Sequence, residues 1–391
     1  MSRDNASTFP GHLGNLTPDE ERKLQEAWIH LLRLCGVEES SAHETPDRTH
    51  IFHEHLNDKC PHGFRQRLWS FILADHPDVL VLRFLRARKW DVEKAVAMLV
   101  SALNWRHERR LEDHIIRKGD SIGLAKEQSD DEKSFMAQYH SGKAYVRGVD
   151  KERRPVFIIK VRLHDPKLQS PESMEMFVLH NIETIRTMIR HPSEKACLIF
   201  DLTGFGLKNM DFHVVKFLVQ VFEARYPEYL GVVLVHNAPF IFWGIWKMIK
   251  PWLDPVIASK INFTSSNRDL ARFIEQENLQ KCYGGKDRWD YKYMEPVEGE
   301  NEKLQSEKKE EIDAQRRELI RQFEQLSLEW AKVKELESVD AEQNLMTKRG
   351  ELAKWLRETH WKLDPYVRAR TYYHRAGVID SQGVVDYKAA R

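Results

Sequence analysis

Along the chain, stretches with helical period give way in the middle to short apolar runs, then return near the C-terminal end. Thr17-Pro18-Asp19-Glu20 opens the first periodic stretch: Thr17 caps, Pro18 takes the first helical position, and Glu20 can reach back to the cap backbone. Leu24, Trp28, Leu31 and Leu32 follow at helical spacing, and Gly36 ends the run. Residues 37–65, with Pro46 and Pro61, are polar and irregular and read as a linker or docking arm. From Pro77 to Glu112 the period returns as two helices joined by a turn at Lys89–Asp91. In the first, Leu80, Leu82, Phe84 and Leu85 alternate with Arg83, Arg86, Arg88 and Lys89; in the second, capped by Asp91, Ala95, Leu99, Ala102 and Trp105 form the apolar side. Asp120 to Gly142 is polar and reads as loop-rich.

The middle of the chain alternates strand and helix signals. Pro155–Leu163 is β-branched and aromatic, Ser170-Pro171 opens a helix to about Arg190, and Cys197–Leu202 is a continuous apolar run suited to a strand covered on both faces. Asp211–Arg225 reads as helix, and Gly231–Val235 and Ile261–Phe263 as strands. That alternation predicts an α/β lobe with a mainly parallel sheet. Beyond Gly284-Gly285, which reads as a turn, residues 301–338 are densely charged, with Ile312, Leu319, Phe323, Leu326, Trp330 and Val333 at three- and four-residue spacing. This predicts a helix with one apolar seam and leaves room for a protein partner there. The aromatic segment Trp355 to Tyr373 is expected to dock on the rest of the chain.

Charge changes the picture by exclusion. Lys and Arg number 61 against 60 Asp and Glu, so nothing in the balance favours nucleic acid as a partner. The four cysteines (Cys35, Cys60, Cys197, Cys282) are widely spaced, which reads as reduced and intracellular. No apolar run approaches the roughly 18–20 residues of a membrane span, and the polar start, Met1 to Asn15, lacks a signal-peptide core. His50, His53, His55, Cys60 and His62 crowd one segment, but their spacing matches no zinc pattern, and no metal is expected. Neither a G-x-S-x-G elbow nor a nucleophile beside a base occurs, so the chain does not read as an enzyme and no catalytic residue is assigned. Asp201, after an apolar strand, reads as a turn cap.

Ala238 to Leu253 is apolar almost all round, with Pro239 and Pro251 near its ends and Lys247 and Lys250 within it; such a segment is either fully buried or meets a membrane. Glu228, after Tyr226-Pro227, and Lys260 flank it.

Six short motifs then occur in order: Arg83-Phe84-Leu85-Arg86-Ala87-Arg88-Lys89-Trp90-Asp91, Arg154-Pro155-Val156, Tyr226-Pro227-Glu228, His236-Asn237-Ala238-Pro239-Phe240, Lys250-Pro251-Trp252-Leu253-Asp254-Pro255 and Lys260-Ile261. Together, over roughly residues 75–290, they resemble the CRAL-TRIO family of fungal phosphatidylinositol transfer proteins, in a longer form with N- and C-terminal extensions. The resemblance implies a helical antechamber followed by a lipid-binding lobe whose cavity is floored by a sheet and closed by a gating helix. The divisions expected are an N-terminal helix and linker (1–74), the helical CRAL-TRIO N-terminal domain (75–125), the lipid-binding domain (126–297) and a charged helical extension (298–391).

Carried over residue by residue, the family's inositol-phosphate contacts fall on Arg88, Glu228 and Lys260, and the gate on about Phe240–Leu253, with Phe240, Phe242, Trp243, Trp246 and Trp252 meeting the membrane. Where family members hold a phosphatidylcholine headgroup with hydroxyls, this chain has Val146, Phe157, Ala196, Leu198 and Phe222; near Lys260 a small hydroxyl residue is replaced by Ile257. A buried zwitterion without polar partners costs several kcal/mol, so the expected second ligand is apolar, a sterol or isoprenoid. The resemblance thus implies a lipid-transfer protein carrying phosphatidylinositol as ligand, without a cofactor, cytoplasmic and transiently bound to membrane surfaces. A lipid-regulated scaffold acting through its terminal helices is the alternative.

Overall fold

The structure is a computed structural model that describes residues 9–37, 52, 61–189, 193–332 and 339–389. Helix α1 (Pro18–Leu34) begins with the expected capping box: the Glu20 N–H donates to Thr17 Oγ1 and the Thr17 N–H to Glu20 Oε2. Next come α2 (Pro61–Ile72), α3 (Pro77–Ala87) and α4 (Val92–Glu108), the last capped by Asp91. The polar stretch read as loop-rich carries a second capping box, Ser129 with Glu132, and forms α5 (Asp130–His140). This corrects the sequence reading: its apolar side, Phe135, Met136 and Tyr139, is too short for a periodicity signal but enough to bury one face.

The five strands are β1 (Ala144–Val149), β2 (Pro155–Lys160), β3 (Ala196–Asp201), β4 (Leu230–His236) and β5 (Ile261–Thr264). They lie side by side in that order, β1 antiparallel to β2 and the others parallel. Crossovers run through α6 (Pro171–Met188), α7 (Phe212–Ala224), and α8 (Phe242–Ile249) with α9 (Pro255–Ser259). After α10 (Asn267–Leu270) come two long helices, α11 (Lys308–Lys332) and α12 (Val339–Val367), and a final turn of helix, α13 (Tyr372–Arg375). The α/β class and mainly parallel sheet expected from the sequence are what the chain adopts.

The chain divides into two compact units: residues 1–112 with 305–366, and residues 113–304 with 367–391. The charged C-terminal stretch is therefore shared, its two long helices belonging to the helical unit and its last residues to the sheet-containing one. In the helical unit α11 buries Ile320, Phe323, Ser327, Leu328 and Trp330. Of the apolar seam read on 301–338, Phe323 and Trp330 are buried, Ile312, Leu319 and Leu326 are half-buried, and Val333 lies outside the described residues.

A buried ion pair holds this unit together. Arg349 on α12 donates to both carboxylate oxygens of Asp78 at 2.6 and 3.0 Å, and the Trp28 indole N–H donates to Asp78 at 2.7 Å. The guanidinium also stacks over the rings of Trp330 (4.1 Å) and Phe323 (4.8 Å). Burial pushes the Asp78 carboxyl up, but Arg349, His76 and the two hydrogen-bond donors outweigh it and hold it below the usual carboxylate range.

In the second unit the last residues protect the edge of the sheet. The Val146 N–H donates to the Tyr373 hydroxyl, the Gly148 N–H to the Tyr387 carbonyl, and Arg147 to the Ala389 carbonyl. Gly148 has a φ of +71°, and a Cβ there would meet the Asn278 carbonyl at 2.6 Å, so no other residue fits.

Asp78→Ala leaves Arg349 buried without its carboxylate. The cost expected is about 3–5 kcal/mol, read as a lower urea midpoint for the helical unit; an unchanged midpoint contradicts it.

Candidate functional site

Strand alternation divides the sheet into two unlike faces. Val156, Ile158, Cys197, Ile199, Val232 and Leu234 pack solidly against Leu270, Ile274, Leu279 and Tyr283. The residues between them, Phe157, Ile159, Ala196, Leu198, Phe200, Val233 and Val235, face an open cavity of about 270 Å³. Phe157, Leu198 and Val233 are cross-strand partners, so they form a continuous floor. Met174, Phe177, Ile182 and Ile185 of α6 make one wall, and Val214, Leu218, Val219 and Phe222 of α7 another. In α7 only Phe217 and Val221 are fully buried. A helix this apolar with so little packing has its missing neighbours in the empty space.

The apolar segment read as the gate forms α8 and the turn Lys250–Trp252. Phe242, Trp246, Ile249 and Leu253 face the cavity, while Phe240 is 93% exposed and Trp243 43% exposed. Trp243 and Trp246 both pack on Phe263, with centroids 4.8 and 5.2 Å away. Trp252 packs edge-on against Phe212 beneath the Lys216 ammonium. One side of the segment closes the cavity and the other carries apolar side chains outward. The candidate lining residues Phe157, Ala196, Leu198 and Phe222 all line the cavity, as does Ile257. Val146 does not stand among them: it is buried in β1 beside Phe157, and its strand neighbour Ala144 reaches the cavity instead.

Glu228 and Lys260 are brought together: the ammonium lies 3.5 Å from one carboxylate oxygen, and Lys195 lies 3.1 Å from the other. Lys195 directly precedes β3, Glu228 lies two residues before β4, and Lys260 directly precedes β5, so three adjacent strands present the cluster from one end. Glu228 has a φ of +63°, a left-handed conformation rare outside glycine, which aims its carboxylate between the lysines. Burial draws the Lys260 amine below its ordinary value, Glu228 opposing. The neighbouring residues Ala196, Tyr229, Leu230 and Ile261 line the cavity, so the backbone that carries the charges borders it. Arg88 belongs to the helical unit, where it ends α3; its headgroup assignment rests on the resemblance alone.

Known proteins resemble this chain over most of its length. Residues 139–285 match the CRAL/TRIO domain, and residues 51–101 the CRAL/TRIO N-terminal domain. The chain is 34% identical over 424 residues to the CRAL-TRIO domain-containing protein C3H8.02 of Schizosaccharomyces pombe, covering 95% of this chain and 93% of that protein. It is 36% identical over 438 residues to the phosphatidylinositol transfer protein CSR1 of Eremothecium gossypii, covering 95% and 98%. The chain belongs to the CRAL-TRIO family. A SEC14 cytosolic factor of Yarrowia lipolytica is 30% identical over 295 residues, covering 70% of this chain and 49% of that protein.

Two parts of this CRAL-TRIO lobe escaped the sequence reading. Lys195 is one; its signal was its place immediately before a strand, matching that of Lys260. The other is a polar group in the cavity wall. The Lys143 ammonium donates to His164 Nδ1 at 2.9 Å, and His164 Nε2 donates to Asp211 at 3.0 Å. Lys143 is only 4% exposed, and burial lowers its amine to about 8, against a small opposing effect of Asp211. Nothing local in the sequence marks this trio, because its members come from the start of β1, the turn after β2 and the cap of α7.

In the folded chain the Lys143 amine releases its proton near pH 8, whereas the unfolded chain keeps its proton to about 10.4. Between those values the unfolded state holds more protons, so this group's contribution to stability rises with pH. Titrating carbon-13-labelled lysines by NMR should show one amine near pH 8 that vanishes in Lys143→Met; all lysines titrating near 10.4 contradicts it.

Proposed function

We propose that this chain is a lipid-transfer protein that carries phosphatidylinositol in the cavity of its CRAL-TRIO lobe, and that it catalyses no reaction. The observation that carries this reading is an apolar cavity with the Lys195–Glu228–Lys260 cluster one residue along the chain from its lining residues Ala196, Tyr229 and Ile261. The lysine ammonium groups suit a phosphate, and the Glu228 carboxylate can accept from inositol hydroxyls while balancing both. The relative from Eremothecium gossypii bears the name of a phosphatidylinositol transfer protein.

A carrier is needed because exposing about 30 methylenes at roughly 0.8 kcal/mol each costs on the order of 20 kcal/mol. A cavity that loads at a membrane and then shuts removes most of that barrier. Segment 240–253 serves as the gate: Phe240, Trp243 and Met248 meet the bilayer, and Phe242 and Trp246 cover the cavity. No described helix is long and apolar enough to cross a membrane, so contact with the bilayer is peripheral and transient. The floor formed by Phe157, Ala196 and Leu198 offers no hydroxyl, so phosphatidylcholine is a poor ligand and any second ligand is largely apolar.

Lys260→Ala and Glu228→Ala are each expected to lower phosphatidylinositol transfer between donor and acceptor vesicles at least tenfold, with the circular dichroism spectrum unchanged. Each removes one side of a partly buried charge pair. Undiminished transfer by either variant removes the headgroup assignment.

A further inference from the structure

The sheet carries charge at two opposite corners, half-buried at one and buried at the other. Lys260 directly precedes β5 at one edge, and Lys143 directly precedes β1 at the other. Four strand spacings of about 4.8 Å separate those edges, so the two backbone positions stand about 19 Å apart across the sheet alone. Because β1 runs antiparallel, Lys143 also sits at the opposite end of the strands: its carbonyl accepts from the N–H of Lys160, the last residue of β2.

Lys143, His164 and Asp211 all line the cavity, whose wall is otherwise almost wholly apolar. With Lys143 charged, their hydrogen bonds are consistent with one pattern of donors and acceptors. The ammonium donates to Nδ1, so His164 carries its proton on Nε2 and passes the bond to the Asp211 carboxylate. Asp211 is held ionised: burial pushes its carboxyl up, but His164 and the Val214 N–H that it caps bring it below the usual range. The chain of groups therefore carries one positive and one negative charge with a neutral ring between them. Of the three ammonium donors, one goes to His164 and one points to the Met174 sulfur at 3.7 Å, a weak acceptor. The Phe177 ring stands 5.9 Å from the nitrogen and offers no hydrogen-bond acceptor atom, so the third is left for whatever fills the cavity.

We propose that Lys143, backed by His164 and Asp211, is a second anchor in the cavity, which takes the hydroxyl oxygen of an uncharged lipid alcohol. This rests on the reading of the cavity as a lipid site. An uncharged oxygen satisfies the spare donor and leaves the charges balanced, whereas a carboxylate adds a second negative charge where the single positive charge of Lys143 already balances Asp211. A linear alcohol and a sterol present the same oxygen, so both belong in the test.

Wild-type chain, Lys143→Met and Asp211→Asn are incubated with vesicles containing 1-hexadecanol, hexadecane, cholesterol, cholestane and palmitate, each isotopically labelled, and the bound lipid is counted by mass spectrometry. Comparing each lipid between wild type and variant cancels its partition into the vesicle. Lys143→Met should lower the bound ratio of alcohol to parent hydrocarbon about tenfold, the worth of one charge-assisted hydrogen bond. The hydrocarbons serve as the internal control for an intact cavity, and a loss for only one of the two alcohols identifies which class fits. Asp211→Asn removes the negative charge and keeps a single acceptor oxygen, enough for the Val214 N–H cap but not for the His164 N–H as well, so palmitate binding should rise about tenfold. Equal uptake of alcohol and hydrocarbon ratios in wild type and Lys143→Met overturns the anchor, and so does a palmitate loss in Lys143→Met larger than that of the alcohols. No uptake of any of the five lipids by wild type instead overturns the reading of the cavity on which the anchor depends.

Discussion

Apolar surface next to empty space sets the terms for the sheet-containing unit. One face of the sheet packs against Leu270, Ile274, Leu279 and Tyr283 and is complete. The other has only helices at a distance, and the side chains of α6, α7 and α8 do not fill the gap. Water is a poor occupant of a space with so few polar partners, so the lobe is built to be finished by something apolar. The flap of segment 240–253, with Phe242 and Trp246 inward and Phe240 outward, is the element that would admit it.

Polar groups in such an interior must be paired, and the pairs locate the chemistry. Lys195, Glu228 and Lys260 share one end of β3, β4 and β5. Lys143, His164 and Asp211 stand at the opposite corner. Between them the floor is hydrocarbon. Under the proposed function a lipid lying across it meets charge at one extremity and a single donor at the other, which is a stricter description of a ligand than an apolar volume alone provides.

Much of the fold was legible because its signals are local. Thr17 with Glu20, the apolar run 197–202 and the helical opening at Ser170-Pro171 all became what their patterns predict. The apolar segment 238–253 was legible as unusual, and its two-sided burial explains why: a flap between hydrocarbon and solvent has no polar face. The helix Asp130–His140 was missed because only three apolar residues mark it. The seam on 301–338 is legible as apolar, but a sequence cannot show that the chain itself buries its Phe323 and Trp330. Lys195 and the Lys143 trio were invisible for a different reason. They are assembled by strand register and crossover, so that residues 47 apart in sequence, His164 and Asp211, share a hydrogen bond.

The most direct measurement is native mass spectrometry of the chain purified from cells without detergent, beside a Leu198→Trp variant that puts an indole into the cavity floor. A lipid carrier gives a wild-type mass raised by one phospholipid per chain and a variant whose added mass is lost or reduced to a smaller lipid. A wild-type chain at its bare polypeptide mass, with the variant indistinguishable from it in added mass, contradicts a cavity made to be filled by lipid.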